Sequence, residues 1–330
     1  AQAGAVGHPA PAARQPPGAR ARRLSAPVAF RAAVLDDAVV QPTPISRFTR
    51  TVLTLDLLFS LVAGITLYVF PGDTEEAFAW TIKLPLTAAL LGSGYLAAVV
   101  TLVPTFFTRE WRNVRLLAVM GFALTFATLA VTLWHLEEFH LGEGSSTGQV
   151  AGWAWLVVYV LIPVLLAAVF VSQERAGGRH EYEVVEPLLP LTRATLAAQA
   201  VLAGVVGAGL VLAPATFDVV WPWPLPPLAA GAVGAWLLTV AAGSAWVLRE
   251  GDWGRFRATA PGLGLYLVLI LVAAARYPEP LDAGDWQEWV FFAGIGAGVA
   301  AAGTAAWLQE RRRTLAGVSG EAHTRARRAT

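Results

Sequence analysis

Asp56 is the only charged side chain well inside an apolar run of this 330-residue chain. A carboxylate held in hydrocarbon is unfavourable by a few kcal/mol unless it is paired or hydrated, so such a residue marks a ligand or ion site by default. Gln199 stands at the position matched to Asp56 in an internal repeat set out below. Two polar groups at one depth could line a shared cavity. The plainer reading has Asp56 bonded to neighbouring helix hydroxyls or hydrated from the nearby surface.

The densest set of metal-ligand types is His135-Leu-Glu-Glu-Phe-His140. His135 and Glu138 would share a helical face at i, i+3, and His140 would need a bend to join them. The plainer reading is a wet loop at a helix end. No HExxH pattern is present.

Other chemistries are excluded by residue type. There is no cysteine, hence no thiolate ligand, disulfide or cysteine nucleophile. Lys83 is the only lysine and lies at the edge of an apolar run, so a buried Schiff base has no candidate. No run carries a central histidine for a transmembrane haem, and no phosphate-binding loop is present. The sequence therefore names no cofactor. Gly294-Ile-Gly-Ala-Gly298 has no preceding strand and is a small helical face, not a nucleotide motif.

The elements that must position these residues are long and apolar. Charged residues are 14% of the chain against roughly 25% in soluble domains. Hydrophobic residues are 56%, and the mean hydropathy is +0.55. That balance excludes a disordered chain, a nucleic-acid binder and an ordinary soluble enzyme. Apolar runs at 48–70, 84–107, 113–135, 150–172, 194–213, 227–248, 259–276 and 287–308 are each about 20 residues, enough to cross ~30 Å of hydrocarbon as helices. They are continuous and not alternating, which excludes a β-barrel. The expected fold is all-α, a polytopic integral membrane protein with eight transmembrane helices.

Of the 24 lysines and arginines, all except Lys83 and Arg276 fall on one side of this arrangement. By the positive-inside rule both termini and the loops 108–115, 173–193 and 249–258 are cytoplasmic, in a bacterial-type plasma membrane. Trp80, Trp134, Trp153, Trp155, Trp221, Trp223, Trp286 and Trp289 fall next to the opposite ends, where indole anchors at headgroup level. Residues 1–46 hold no apolar stretch long enough for a signal peptide.

The halves resemble each other. Thr49-Arg50 matches Thr192-Arg193, and Gly64, Leu67 and Pro71 match Gly207, Leu210 and Pro214. Trp80 matches Trp221, Trp111 and Arg115 match Trp253 and Arg257, and Trp155 matches Trp289. Gln173-Glu174-Arg175 matches Gln309-Glu310-Arg311. This reads as two tandem four-helix repeats, parallel because four is even. The expected organisation is a disordered cytoplasmic segment (1–46), a first repeat (47–172), a cytoplasmic linker (173–193), a second repeat (194–310) and a basic cytoplasmic tail (311–330).

Three functions are open to such a chain. The first is binding or transport of a small molecule or lipid in a cavity between the repeats, near Asp56 and Gln199. The second is a non-catalytic scaffold or accessory subunit with a membrane-protein partner. The third, weaker, is a metal-dependent membrane enzyme using His135, Glu138 and His140. The bilayer is a partner in all three, and nucleic acid in none.

Overall fold

The computed structural model describes residues 4, 42–177, 183–282 and 284–328, with side chains as far as residue 315 except at 218. Most of the segment expected to be disordered, 1–46, lies outside the described residues. Residues 42–46 are tied to the rest of the chain: the Ile45 N–H donates to Arg109 O at 2.9 Å.

Eight long helices follow: α1 Arg47–Val69, α2 Pro85–Leu102, α3 Arg115–Trp134, α4 Ser146–Ala176, α5 Pro190–Leu212, α6 Pro227–Glu250, α7 Ala260–Arg276 and α8 Trp286–Arg328. Among the described residues, seven are long and apolar enough to cross a membrane. The chain is thus an all-helical, multi-pass membrane protein whose spans imply a lipid bilayer. The eighth helix, α7, has 17 residues. At 1.5 Å per residue it is about 26 Å long, just short of a hydrocarbon core.

The caps follow from sequence. Ser46 and Ser145 start α1 and α4 by accepting the N–H of Thr49 and of Gly148, groups the helix cannot satisfy itself. Proline opens α2, α5 and α6, where its missing N–H costs nothing. Gly251 ends α6 at φ 68°, the left-handed conformation that favours glycine. Pro104 ends α2 by tightening it into a 3-10 turn at Val103–Phe106, whereas α4 runs on through Pro163. α8 is longer than its apolar run and continues through most of the segment read as a tail.

Packing is tightest where glycine removes a side chain. A Cβ on Gly92 of α2 would lie 2.6 Å from Tyr68 N of α1. A Cβ on Gly234 of α6 would lie 2.7 Å from Gly207 O of α5. Both pairs therefore pack backbone against backbone, the usual device for helices in lipid. Across the middle, α3 packs on α6 and α2 on α7. Hydrogen bonds from Trp223 Nε1 to Thr87 Oγ1 (2.9 Å) and from Tyr68 Oη to Leu269 O (3.0 Å) cross between the halves.

The arginine-rich end is built from one set of bonds that occurs twice. Trp111 N–H donates to Thr43 O (2.8 Å), and Trp253 N–H donates to Glu186 O (2.8 Å). Trp111 Nε1 donates to Glu174 Oε1 at 2.7 Å, and Trp253 Nε1 to Glu310 Oε1 at 2.8 Å. Gln173 Nε2 donates to Pro44 O at 3.2 Å, and Gln309 Nε2 to Pro187 O at 2.9 Å.

The tryptophans at the other end divide. Trp134, Trp153, Trp286 and Trp289 are exposed, as interfacial anchors must be. Trp80, Trp155, Trp221 and Trp223 are buried, which corrects the anchor reading for these four. Their bulk is needed inside: Trp155 meets Trp80 at 4.8 Å, Phe78 at 5.3 Å and Tyr159 at 4.3 Å between ring centroids. The pairing of Trp155 with Trp289 also shifts. Trp221 packs on Trp223 at 5.3 Å and, from α8, on Phe291 at 5.4 Å.

Candidate functional site

A cavity of about 120 Å³ lies in the half of the bundle nearer the arginine-rich end. Six helices wall it. α1 supplies Asp56 and Ser60, α2 the face from Gly94 to Leu102, and α3 the face from Leu116 to Leu124. α5 supplies Leu196 and Gln199, α6 the face from Trp236 to Ser244, and α7 that from Thr259 to Tyr266. Asp56 and Gln199 thus share one cavity. Small residues line it at Gly94, Ala97, Ala98, Gly121, Gly243 and Gly262, and they let neighbours close in: a Cβ on Gly94 or Gly243 would lie 2.8 Å from the Trp236 ring or 2.9 Å from Met120 Sδ.

Its polar side chains are mostly hydroxyls, joined by Asp56, the Gln199 amide and the Trp236 indole. Among the described residues no lysine, arginine or histidine lines it, and Asp56 is its only charge. The hydroxyls of Thr101, Thr239 and Thr259 donate to the carbonyls of Ala97, Ala235 and Phe256 in their own chain segments. Ser244 Oγ donates to Gln199 Oε1 at 3.2 Å. Their hydrogens are used, so these oxygens offer lone pairs inward. Tyr266 and Trp236 add stacked rings, 6.3 Å apart at an interplanar angle of 27°. No hydrogen bond or ion pair to Asp56 occurs among the described residues.

A distinct group of side chains stands towards each end of the cavity. Towards the tryptophan-rich end lies the aromatic cluster of Phe59, Tyr95, Trp155 and Tyr159, in which the two tyrosine hydroxyls bond to each other. Towards the arginine-rich end lies an ionic floor. Arg115 is fully buried and donates to Glu174 (2.7 Å) and Glu250 (3.0 Å). Arg255 stands 3.6 Å from Glu250, and Trp246 Nε1 donates to the same carboxylate at 3.0 Å. A buried ionic network of this kind is tolerable because its charges share partners.

Sequence reading missed this network. By sequence, Arg115 and Arg255 fall among the inside-loop charges, and no pattern singles out Glu250 or Trp246. One signal was available: Trp111 and Arg115 recur as Trp253 and Arg257, and Gln173-Glu174 as Gln309-Glu310, so partners for both indoles were already in view.

The histidine cluster is only partly assembled. His135 Nδ1 lies 3.5 Å from Glu138 Oε1, and the group of possible metal ligands that gathers is His135, Glu137 and Glu138. His140 is elsewhere. Its Nδ1 pairs with Phe78 O at 3.0 Å and its Nε2 with Thr81 Oγ1 at 3.1 Å. Both ring nitrogens are thereby committed to holding the 78–81 loop against the start of α4.

No protein-family model, curated protein or solved structure matches the chain. Fold and cavity define a class: a polytopic helical membrane protein with about seven candidate spans among its described residues and a cavity lined by both polar and apolar side chains.

Proposed function

We propose that this protein binds, and in one mode of action transports, a small molecule in the cavity between two parallel four-helix repeats. On this reading α7 is the eighth span and both termini are cytoplasmic. The single observation that carries it is that Asp56 and Gln199 open into one cavity walled by three helices from each half. The twofold set of bonds at the arginine-rich end supports the duplication, as do α3 on α6 and α2 on α7, which are the same contact seen from either repeat. The volume suits a ligand near the size of benzene, which fills an engineered cavity of ~150 Å³. A lipid would enter by one group only.

Native mass spectrometry of the purified protein tests the site. About one bound small molecule per chain, displaced by Ala98→Phe, is the expected result. Equal occupancy in wild type and variant removes the cavity as the binding place. Topology is tested by labelling Glu143→Cys and Arg109→Cys, since the native chain has no cysteine. Glu143→Cys should react from outside the cell and Arg109→Cys only after permeabilisation.

A second reading, a scaffold or accessory subunit, has one observation in its favour. A Cβ on Gly294, Gly296, Gly298 or Gly303 of α8 would meet nothing within 4 Å. A partner helix could pack on such a face. A stable complex with another membrane chain that survives Ala98→Phe and is lost in Gly298→Leu would favour it over the cavity.

A further inference from the structure

The cavity's chemistry narrows what it takes. Resting on the cavity reading above, we infer that the ligand is a small organic cation: an ammonium group on an apolar body of roughly six to eight non-hydrogen atoms, the size class of benzene in a comparable void.

Four features of the wall select it. The only charge is the Asp56 carboxylate, and no basic side chain lines the space among the described residues. An anion would meet repulsion without a partner, whereas an ammonium would neutralise a carboxylate otherwise held at a cost in the membrane. The hydroxyl hydrogens of Thr101, Thr239, Thr259 and Ser244 are already spent. What these groups present is acceptors, which match the N–H donors of an amine. Trp236 and Tyr266 add aromatic surface to the lining, to which a cation is drawn. Leu117, Met120, Leu124 and Leu263 form the apolar remainder and suit a hydrocarbon body.

A bare metal ion fits this wall poorly. Sodium, magnesium or calcium requires about six or more oxygen ligands at close range. Here one carboxylate and a few hydroxyl oxygens spread over several helices stand in a lining dominated by carbon. A purely apolar guest would leave Asp56 without a partner. The ammonium satisfies both halves of the wall at once.

Cyclohexylamine, protonated at neutral pH, and cyclohexanol, its neutral counterpart of equal size, are the probes. Both are titrated calorimetrically into the purified full-length chain in lipid nanodiscs. Wild type should bind the amine at least about tenfold more tightly than the alcohol, the factor expected from about 1.4 kcal/mol of differential interaction. Asp56→Asn should lose that preference while still binding cyclohexanol, and Asp56→Glu should restore most of it. Ala98→Phe should bind neither. Equal affinity for both probes in wild type, with loss of both in Ala98→Phe, overturns the cation and leaves the cavity reading standing. A preference that survives in Asp56→Asn also overturns it, since the amine would then sit elsewhere. Binding of neither probe to wild type overturns both.

Discussion

α4 and α8 end each half of the molecule, and they share a foot but not a body. At the foot, Gln173 and Glu174 of α4 hold Pro44 O and Trp111 as Gln309 and Glu310 of α8 hold Pro187 O and Trp253. Above it, α4 buries Trp155, Tyr159, Ile162, Leu166 and Val169 along one seam against α3 and α1. A helix without insertions keeps its register, so counting up from Gln309 places Phe291, Ile295, Gly298, Ala302 and Ala305 on the corresponding seam of α8. That seam has little left to bury. α8 touches α5 and barely meets α7. A polar latch fixes where a helix starts from, and the volume on its seam decides whether it packs.

The sharpest break of this comparison is at the arginines. Arg115→Met leaves Glu174 and Glu250 without their shared cation, and the protein should lose about 3–5 kcal/mol of stability against unfolding in detergent. Arg257, at the matched position, is 43% exposed with Glu310 4.0 Å away, so Arg257→Met should cost less than about 1 kcal/mol. Equal losses would mean that burial does not separate the two feet.

Next come the aromatic ends. Trp155→Ala should cost about 3 kcal/mol, because its place among Phe78, Trp80 and Tyr159 becomes a void. Trp289 is 67% exposed, and Trp289→Ala should stay under about 1 kcal/mol by the same measurement. A large loss at Trp289 would show α8 to be held at its far end after all.

The latch itself predicts symmetry. Trp111→Phe and Trp253→Phe each remove one hydrogen bond to a carboxylate, worth about 1.5–3 kcal/mol, and the two should agree within about 1 kcal/mol. A loss confined to Trp111 would argue that the second latch contributes nothing.

The smallest effect is expected on the open face of α8. Gly298→Ala should leave stability within about 0.5 kcal/mol, since nothing lies within 4 Å of the added carbon. A change in oligomeric state on light scattering would instead reveal a partner on that face.

Hydropathy alone was enough to mark the helices, because a segment in lipid must be both apolar and long, and each property is visible residue by residue. Asp56 stood out for the same reason: one carboxylate in an apolar run contradicts its surroundings. Matched Trp, Arg and Gln-Glu pairs made the likeness of the two halves visible, although the apolar residues of α8 gave no sign that Phe291, not Trp289, would face Trp221. What needed the tertiary structure was everything that depends on distance across the bundle. Asp56 and Gln199 came to face one cavity because packing sets α1 and α5, far apart in sequence, among the six helices that wall it. Arg115 became a buried centre because Glu250, 135 residues away, arrives beside it. His140 left the histidine cluster because a carbonyl at Phe78 and a hydroxyl at Thr81 claimed both of its nitrogens. Composition and period are properties of a segment and are carried by the sequence. Void, partner and burial belong to pairs of segments, and only packing brings those together.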